Sequence, residues 1–588
     1  MIGRSPDDPM SYKLLLHTSM TPPRPTSSAL RFLLPSVRDL IFIFLFWSVL
    51  AGPLSNRPLA DADIGWHIRT GEQIFATHSL PRTDPYSSTM QGQPWVAWEW
   101  LYDSLLGLLH RTCGLNGVAW LCAILAATIF TYLLSQLLQR GTSLLLAVVL
   151  TLLAEAAAII HLYARPHIAS WLFSLLWFVV LERWENWDSR DRGRSPRWIP
   201  WFFPASMLLW VNLHGGWLFG MALLAIYTFA AFVESVRTQK SDPFAAIRAA
   251  HRARAMAVAW ITSALATLAN PFGWRLHAHI YRYLTDRYLM NRIDEFRSPD
   301  FHGWAERSFA IILVLTMFAL AGNHPSVNRG SGHRGKLRLS HLLVVLLAAY
   351  AGLYATRNLP LSSMLLVLIA GPILWENFAA LPDKPGAWRR LRNVTTRIAT
   401  FSDRMTEQEL DLRGHLWPVV AVVAAFAICL QSGWLGSRQL IHAQFDPRKM
   451  PVAAVDFLQK DFLQQDFLKQ DFLKKENTQA PPLTDPVFST DAWGGYLIYR
   501  MYPQRKVVID DRHDLYGSGR IRQYVTLTRG APGWQNVLKD WQIRTALLPT
   551  DSTLANLLRE LPQDWRVAYE DKVAIVFERL SPSVAKLD

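Results

Sequence analysis

Residues 61–100 read DADIGWHIRTGEQIFATHSLPRTDPYSSTMQGQPWVAWEW and directly follow the first long apolar segment. Five acids (Asp61, Asp63, Glu72, Asp84, Glu99), His67, His78, Arg69 and the tryptophans at 66, 95, 98 and 100 fall in this one polar stretch. A connector between two membrane helices needs only a few residues. One this long, this acidic and this aromatic is expected to carry a site, because function concentrates on loops held by a rigid scaffold. The plain alternative is an interfacial loop, with its Trp rings at headgroup level and its charges in water.

The rest of the chain sets the context. Of 588 residues, 51% are hydrophobic and 12% aromatic. Only 18% are charged, against roughly 25% in a soluble domain. That profile fits a polytopic membrane protein. The net charge of +14 does not point to nucleic acid, because Arg and Lys lie mostly between apolar spans, where they set topology and meet anionic lipid. Cys113, Cys122 and Cys429 form no spaced motif, so neither a disulfide framework nor a thiolate metal site is expected. The first thirty residues lack the pattern of a cleaved signal, and residues 1–35 read as a disordered cytoplasmic tail in which Met10 or Met20 offers another start.

A spanning helix needs about 20 mostly apolar residues. Such segments lie near 36–55, 116–138, 142–163, 167–184, 197–214, 216–236, 253–270, 308–323, 339–356, 359–378 and 416–434, about eleven spans. The shorter, amphipathic 99–112 is expected to lie in the interface or to re-enter. Basic residues in alternate short loops put the N-terminus inside, and an odd number of spans puts the C-terminal part outside. Residues 271–307 break the rule, being an outside loop rich in Arg. Glu155 lies inside a span, where a carboxylate marks either a site or a buried structural partner.

Sorted by side, the polar signals converge on the outer face. Asp61, Asp63, His67, Asp84 and Glu99 belong there, with Arg165 and His167 (ARPH), Asn212 and His214 (NLHGG), Asn270, Arg275, His277 and His279 (NPFGWRLHAH), and Arg357 (TRN). Each alone reads as a helix cap or interface anchor; the convergence is what capping does not explain. The expected organisation is a membrane domain over 36–435 with its first outer loop at 56–115, a linker over 436–484 and an extracytoplasmic α/β domain over 485–588. The linker contains the tandem DFLQK-DFLQQ-DFLKQ-DFLKK at 456–475. Five residues advance a helix by about 500°, so no apolar stripe results. In the last domain VFST, YLIYRMY, KVVIDD, TALLPT and WRVAYEDKVAIVFERL read as strands. GRIRQYVTLTRG, GWQNVLKDW and DSTLANLLRELP read as helices. IDDRHDLYG, with Asp510 to Asp514, is either a ligand contact or a solvated turn.

The acidic loop DADIGWHIRTGE, the DPYS…W…EWL stretch, NLHGG, NPFGWRLH, and WGGYLIYR with IDDRHDLYG resemble the landmarks of GT-C-type integral membrane glycosyltransferases, most of all the protein-mannosyltransferase-like bacterial group. The resemblance is one of architecture and covers nearly the whole chain outside the N-terminal tail and the DFL repeat. It implies an α-helical polytopic bacterial inner-membrane protein that moves a sugar from a polyprenyl-phosphate donor to an acceptor on the outer side. It implies a first-loop acid, Asp63 or Asp61, as catalytic base, with Glu99 as a second catalytic acid. Displacement at an anomeric carbon independently asks for a carboxylate to take the acceptor proton and for cations around the leaving phosphate. Arg165, Arg275 and Arg357 suit that phosphate; His67, Arg69, Asp84, His167, Asn212, His214 and Asn270 are candidate substrate contacts. No cofactor is fixed: the D-x-D of Asp61 and Asp63 and the H-x-H of His277 and His279 admit a divalent cation, and neither alone commits to one. A transporter or flippase for a lipid-linked or anionic solute, and a non-catalytic envelope scaffold, remain the competing classes.

Overall fold

The computed structural model describes residues 32–189, 196–322, 337–383, 389–412, 415–460 and 485–580. The N-terminal tail to residue 31 and the DFL repeat beyond residue 460 lie outside the described residues.

Each expected span falls on a helix. Five helices are long and apolar enough to cross a membrane: Trp100–Gln139, Leu144–His161, Trp217–Thr238, Trp304–Ala321 and Thr356–Ala379. The pair Arg392–Asp411 and Leu416–Leu430, bent by 62°, brings the number to six if it counts as one span. By this measure a total of eleven is not established, because several of the other helices are short: Val37–Leu50 has 14 residues and Ile199–Leu213 has 15. The protein is a multi-pass membrane protein. Leu359–Ala379 is buried around nearly its whole circumference from Leu359 to Leu374, as expected of a helix apolar on every side. The 99–112 segment, expected to stand apart, opens the helix Trp100–Gln139, and the two parts meet at a break where Gly114 adopts φ 60°.

The acidic stretch folds into a helix of its own, Ile64–Thr77, which packs on Trp100–Gln139 and on the helix Asp491–Met501 of the C-terminal part. Glycine makes both contacts close. A Cβ on Gly65 would collide with the carbonyl of Gly495, and one on Gly71 with the carbonyl of Asp103. The C-terminal part carries a four-stranded sheet. Thr545–Pro549 pairs in parallel with Val487–Ser489 and antiparallel with Ala574–Arg579, which pairs with the edge strand Trp565–Glu570.

Two strand expectations are corrected. YLIYRMY belongs to the helix Asp491–Met501, which is buried continuously from Trp493 to Ile498 and again at Met501 and so shows no two-residue alternation of a half-buried strand. KVVIDD forms no regular strand. Val507 makes isolated bridges to Val487 and to Ser87 of the first loop, so the loop is stitched to the sheet through main-chain bonds: Ser88 N–H donates to the Val507 carbonyl at 2.8 Å and Val507 N–H to the Tyr86 carbonyl at 3.1 Å.

Candidate active site

The site lies where the first loop, the ends of several helices and the C-terminal part meet. Asp61 and Asp63 sit just before the helix Ile64–Thr77, and the Asp61 carboxylate accepts from the Asp63 N–H at 2.9 Å. Asp511, from IDDRHDLYG, joins them: carboxylate oxygens of the three lie within 4.8 Å of one another. Arg165 crosses the group, 2.8 Å from Asp61 Oδ2, 3.0 Å from Asp63 Oδ2 and 3.4 Å from Glu295 Oε1. Burial, and then the neighbouring acids, push the Asp63 and Asp511 carboxyls up, while Arg165 opposes both. Burial also works against ionising Glu295, yet Arg165 and Arg357 hold it down at about 2. The Asp63 and Asp511 carboxyls are buried against each other, and among the described residues no other donor reaches Asp63 Oδ1 or Asp511 Oδ1. Three hard oxygen donors this close, two of them reached by no other donor, fit a divalent cation.

Glu99 immediately precedes the helix Trp100–Gln139. Its oxygens lie 3.6 Å from His214 Nε2 and 3.9 Å from His67 Nε2. Burial lifts its carboxyl to about 8, against the pull of Arg165 and Arg357. Burial likewise drives His67 and His214 well below the ordinary imidazole value, so both are neutral near pH 7. His167 Nε2 donates to the His161 carbonyl at 2.7 Å, and its ring stands 6.4 Å from that of His214. Arg357 lies 4.4 Å over the Phe296 ring, beside Glu295. A cleft of about 290 Å³ opens alongside, lined by Trp95, His279, Arg282, Tyr283 and Asp514.

The remaining candidates serve elsewhere. Arg69 pairs with Glu72 at 2.7 Å and donates to the Tyr499 carbonyl, tying the loop helix to the C-terminal part. Asp84 is buried against Arg512 at 2.8 Å; burial opposes its ionisation, but the guanidinium keeps it below the usual carboxylate range. Arg512 also pairs with Asp510 at 2.7 Å and lies 4.7 Å over Trp95, so IDDRHD is a docking segment and not a solvated turn. Asn212 accepts from Trp100 Nε1 at 2.8 Å and donates to the Leu208 and Ala269 carbonyls, bracing the helix ends behind the site. Asn270 closes the turn before Gly273. Arg275 is exposed on the helix Trp274–Thr285. His277 bonds Thr267 at 2.7 Å and His279 bonds Asp514 at 2.9 Å, so the H-x-H pair serves two separate contacts. Glu155 is half-buried along its own helix.

Asp511 comes from the segment left open between a ligand contact and a solvated turn, and two residues that belong to the site were not among the candidates: Glu295 and Asp103. The last accepts from or shares a hydrogen with His67 Nδ1 at 2.6 Å. Its signal was present, since Asp103 stands four residues after Glu99 and so on the same helix face.

The sequence matches no family model and no curated protein sequence. Among solved structures, the fold is similar to that of the Archaeoglobus fulgidus oligosaccharyltransferase in the apo form, at 12% identity and a TM-score of 0.50, over 87% of this chain and 69% of that one. A second structure, oligosaccharyltransferase AglB of the same organism with an inhibitory peptide and a dolichol-phosphate, aligns at 11% identity over 87% of this chain and 69% of that one, with a TM-score of 0.44. The chain therefore shares its overall fold with the archaeal oligosaccharyltransferase.

Proposed function

We propose that the protein is a membrane glycosyltransferase that moves a sugar from a polyprenyl-phosphate donor to an acceptor on the outer side of the bacterial inner membrane. The observation that carries this is the meeting of Asp61, Asp63 and Asp511 with Arg165, from three separate segments, at one end of a bundle that shares the oligosaccharyltransferase's fold. The fold neighbour's own description as an oligosaccharyltransferase supports the same class.

The roles divide by environment. Asp61, Asp63 and Asp511 would hold a divalent cation, which would supply positive charge against the donor's phosphate. Arg165 and Arg357 supply fixed positive charge where the lipid phosphate leaves. The resemblance placed the base at Asp63 or Asp61, but both are ion-paired to Arg165 and crowded by neighbouring carboxylates. Among the described residues no Arg or Lys is bonded to Glu99, and burial raises its carboxyl toward working pH, which suits a general base. We therefore assign the acceptor proton to Glu99 and seat the acceptor in the cleft beside Trp95 and His279.

The test uses purified wild type and Asp63→Asn in detergent with a panel of polyprenyl-phosphate sugars, following release of polyprenyl phosphate. Release by wild type that is lost in the variant is expected. Donor bound by a folded wild type without release would instead favour a transporter.

A further inference from the structure

The helix Arg389–Asp411 is docked by its polar side and leaves its apolar side bare. Glu409 is buried, pairs with Arg38 at 2.7 Å and accepts from the Val37 N–H at 2.7 Å. Thr406 Oγ1 accepts from the Leu144 N–H at 2.9 Å, and Thr395 and Ser402 are buried on the same side. At about 100° per residue, Val394, Ile398 and Phe401 fall on the next stripe round the axis, and they are 54%, 42% and 56% exposed. Arg390, Arg397 and Arg404 form a third stripe beyond it, each seven residues from the last, and all are exposed. Among the described residues no carboxylate pairs with any of the three. Asp403 and Glu407 stand across the axis from the apolar stripe.

The anchoring partners put this helix at the end of the bundle away from the acidic site. Val37–Leu50 starts there and ends before Asp61, and Leu144–Ala158 starts there and leads to Arg165. After Asp411 the chain turns by 62° into Leu416–Leu430, an apolar helix with Val419 and Val423 exposed. Trp417, at the mouth of that helix, is half exposed and donates from Nε1 to the Leu33 carbonyl at 2.8 Å. A Trp in that position marks the headgroup level, so the helix that precedes it runs at that level. Between residues 390 and 402 it carries three arginines and no acid. A helix dipole disfavours cations in the first turn, so Arg390 and Arg392 do not serve the helix itself. A bare apolar stripe flanked by cations is the pattern of a helix lying in the membrane interface.

We infer that the helix Arg389–Asp411 binds anionic phospholipid at this end of the bundle. Val394, Ile398 and Phe401 enter the acyl boundary, Arg390, Arg397 and Arg404 meet headgroup phosphates, and Asp403 and Glu407 face water. Guanidinium suits a phosphate because it offers paired donors as well as charge. The assignment stands independently of the sugar-transfer reading.

The experiment places the full-length protein in nanodiscs of phosphatidylcholine and phosphatidylglycerol. A bimane fluorophore is attached at Phe401→Cys or, separately, at Glu407→Cys; Cys113, Cys122 and Cys429 are buried, and wild type treated alike sets the background. Lipid carrying a nitroxide on its chain should quench the fluorophore at 401 while aqueous iodide does not, and at 407 the order should reverse. Quenching at 401 by nitroxide phosphatidylglycerol against nitroxide phosphatidylcholine gives the relative association of the two lipids. Phosphatidylglycerol is expected to be preferred by about fivefold for each arginine in contact. The preference should fall toward one when Arg390→Gln, Arg397→Gln and Arg404→Gln are combined, and at high salt. Should the combined variant not fold, Arg397→Gln alone should lower the preference about fivefold. Iodide quenching at 401 without lipid quenching, or shielding from both, would overturn the interfacial placement. Equal association of the two lipids in wild type, or a preference that survives loss of the arginines, would overturn the anionic-lipid site.

Discussion

At the scale of single residues, the site separates carboxylates by what surrounds them. Glu99 is expected to work ionised, so lower pH fills it and silences it. Turnover should rise as pH climbs toward about 8 and level above it; a profile that falls over the same range would contradict the assignment. Glu295 behaves oppositely. Its folded carboxyl lies near 2, below the ordinary 4.5, so its contribution to stability is present above about pH 4.5 and is lost as pH falls through about 2. Thermal melts of wild type should drop over that window, and Glu295→Gln should flatten the drop. Much of this was legible in the chain, because Asp61, Asp63, Glu99, Arg165, His167, His214 and Arg357 lie at the ends of apolar segments on one side. Arg69 was not, because two residues on a helix are about 200° apart. His67 therefore faces the bundle while Arg69 faces Tyr499.

At the scale of elements, the loop helix Ile64–Thr77 and the segment 510–514 are mutually dependent. Arg512 is buried between Asp84 and Asp510. Removing it leaves two buried carboxylates uncompensated, a loss of about 3–5 kcal/mol. Arg512→Ala should lower the melting temperature and leave the C-terminal part open to limited proteolysis; unchanged stability would contradict the docking role. Gly495→Val should do the same by steric contact with Ala62. None of this was readable from spacing. Asp84 and Arg512 are 428 positions apart, and IDDRHDLYG taken alone is as good a solvated turn as a docking segment. The helix at Asp491–Met501 was misread for a related reason: a short segment buried on most faces shows no clean period to tell strand from helix.

At the scale of the whole molecule, the C-terminal part completes the site by supplying Asp511 to the acids of the first loop. A cation that binds only the folded protein stabilises it by about 2.7 kcal/mol at a hundred times its dissociation constant. Mn²⁺ or Mg²⁺ should therefore raise the melting temperature of wild type and not that of Asp511→Asn; equal shifts in both would remove the cation from the cluster. The helix bundle itself was legible as apolar segments, since hydrophobic length is a local property. The junction of bundle and C-terminal part was not, since it depends on long-range contact. The most direct measurement of the central claim is turnover of a labelled polyprenyl-phosphate sugar by full-length wild type, Asp63→Asn and Asp511→Asn under identical conditions. Release by wild type, lost in both folded variants, is the predicted result. Wild-type turnover by Asp511→Asn would contradict a site shared between the two parts of the chain.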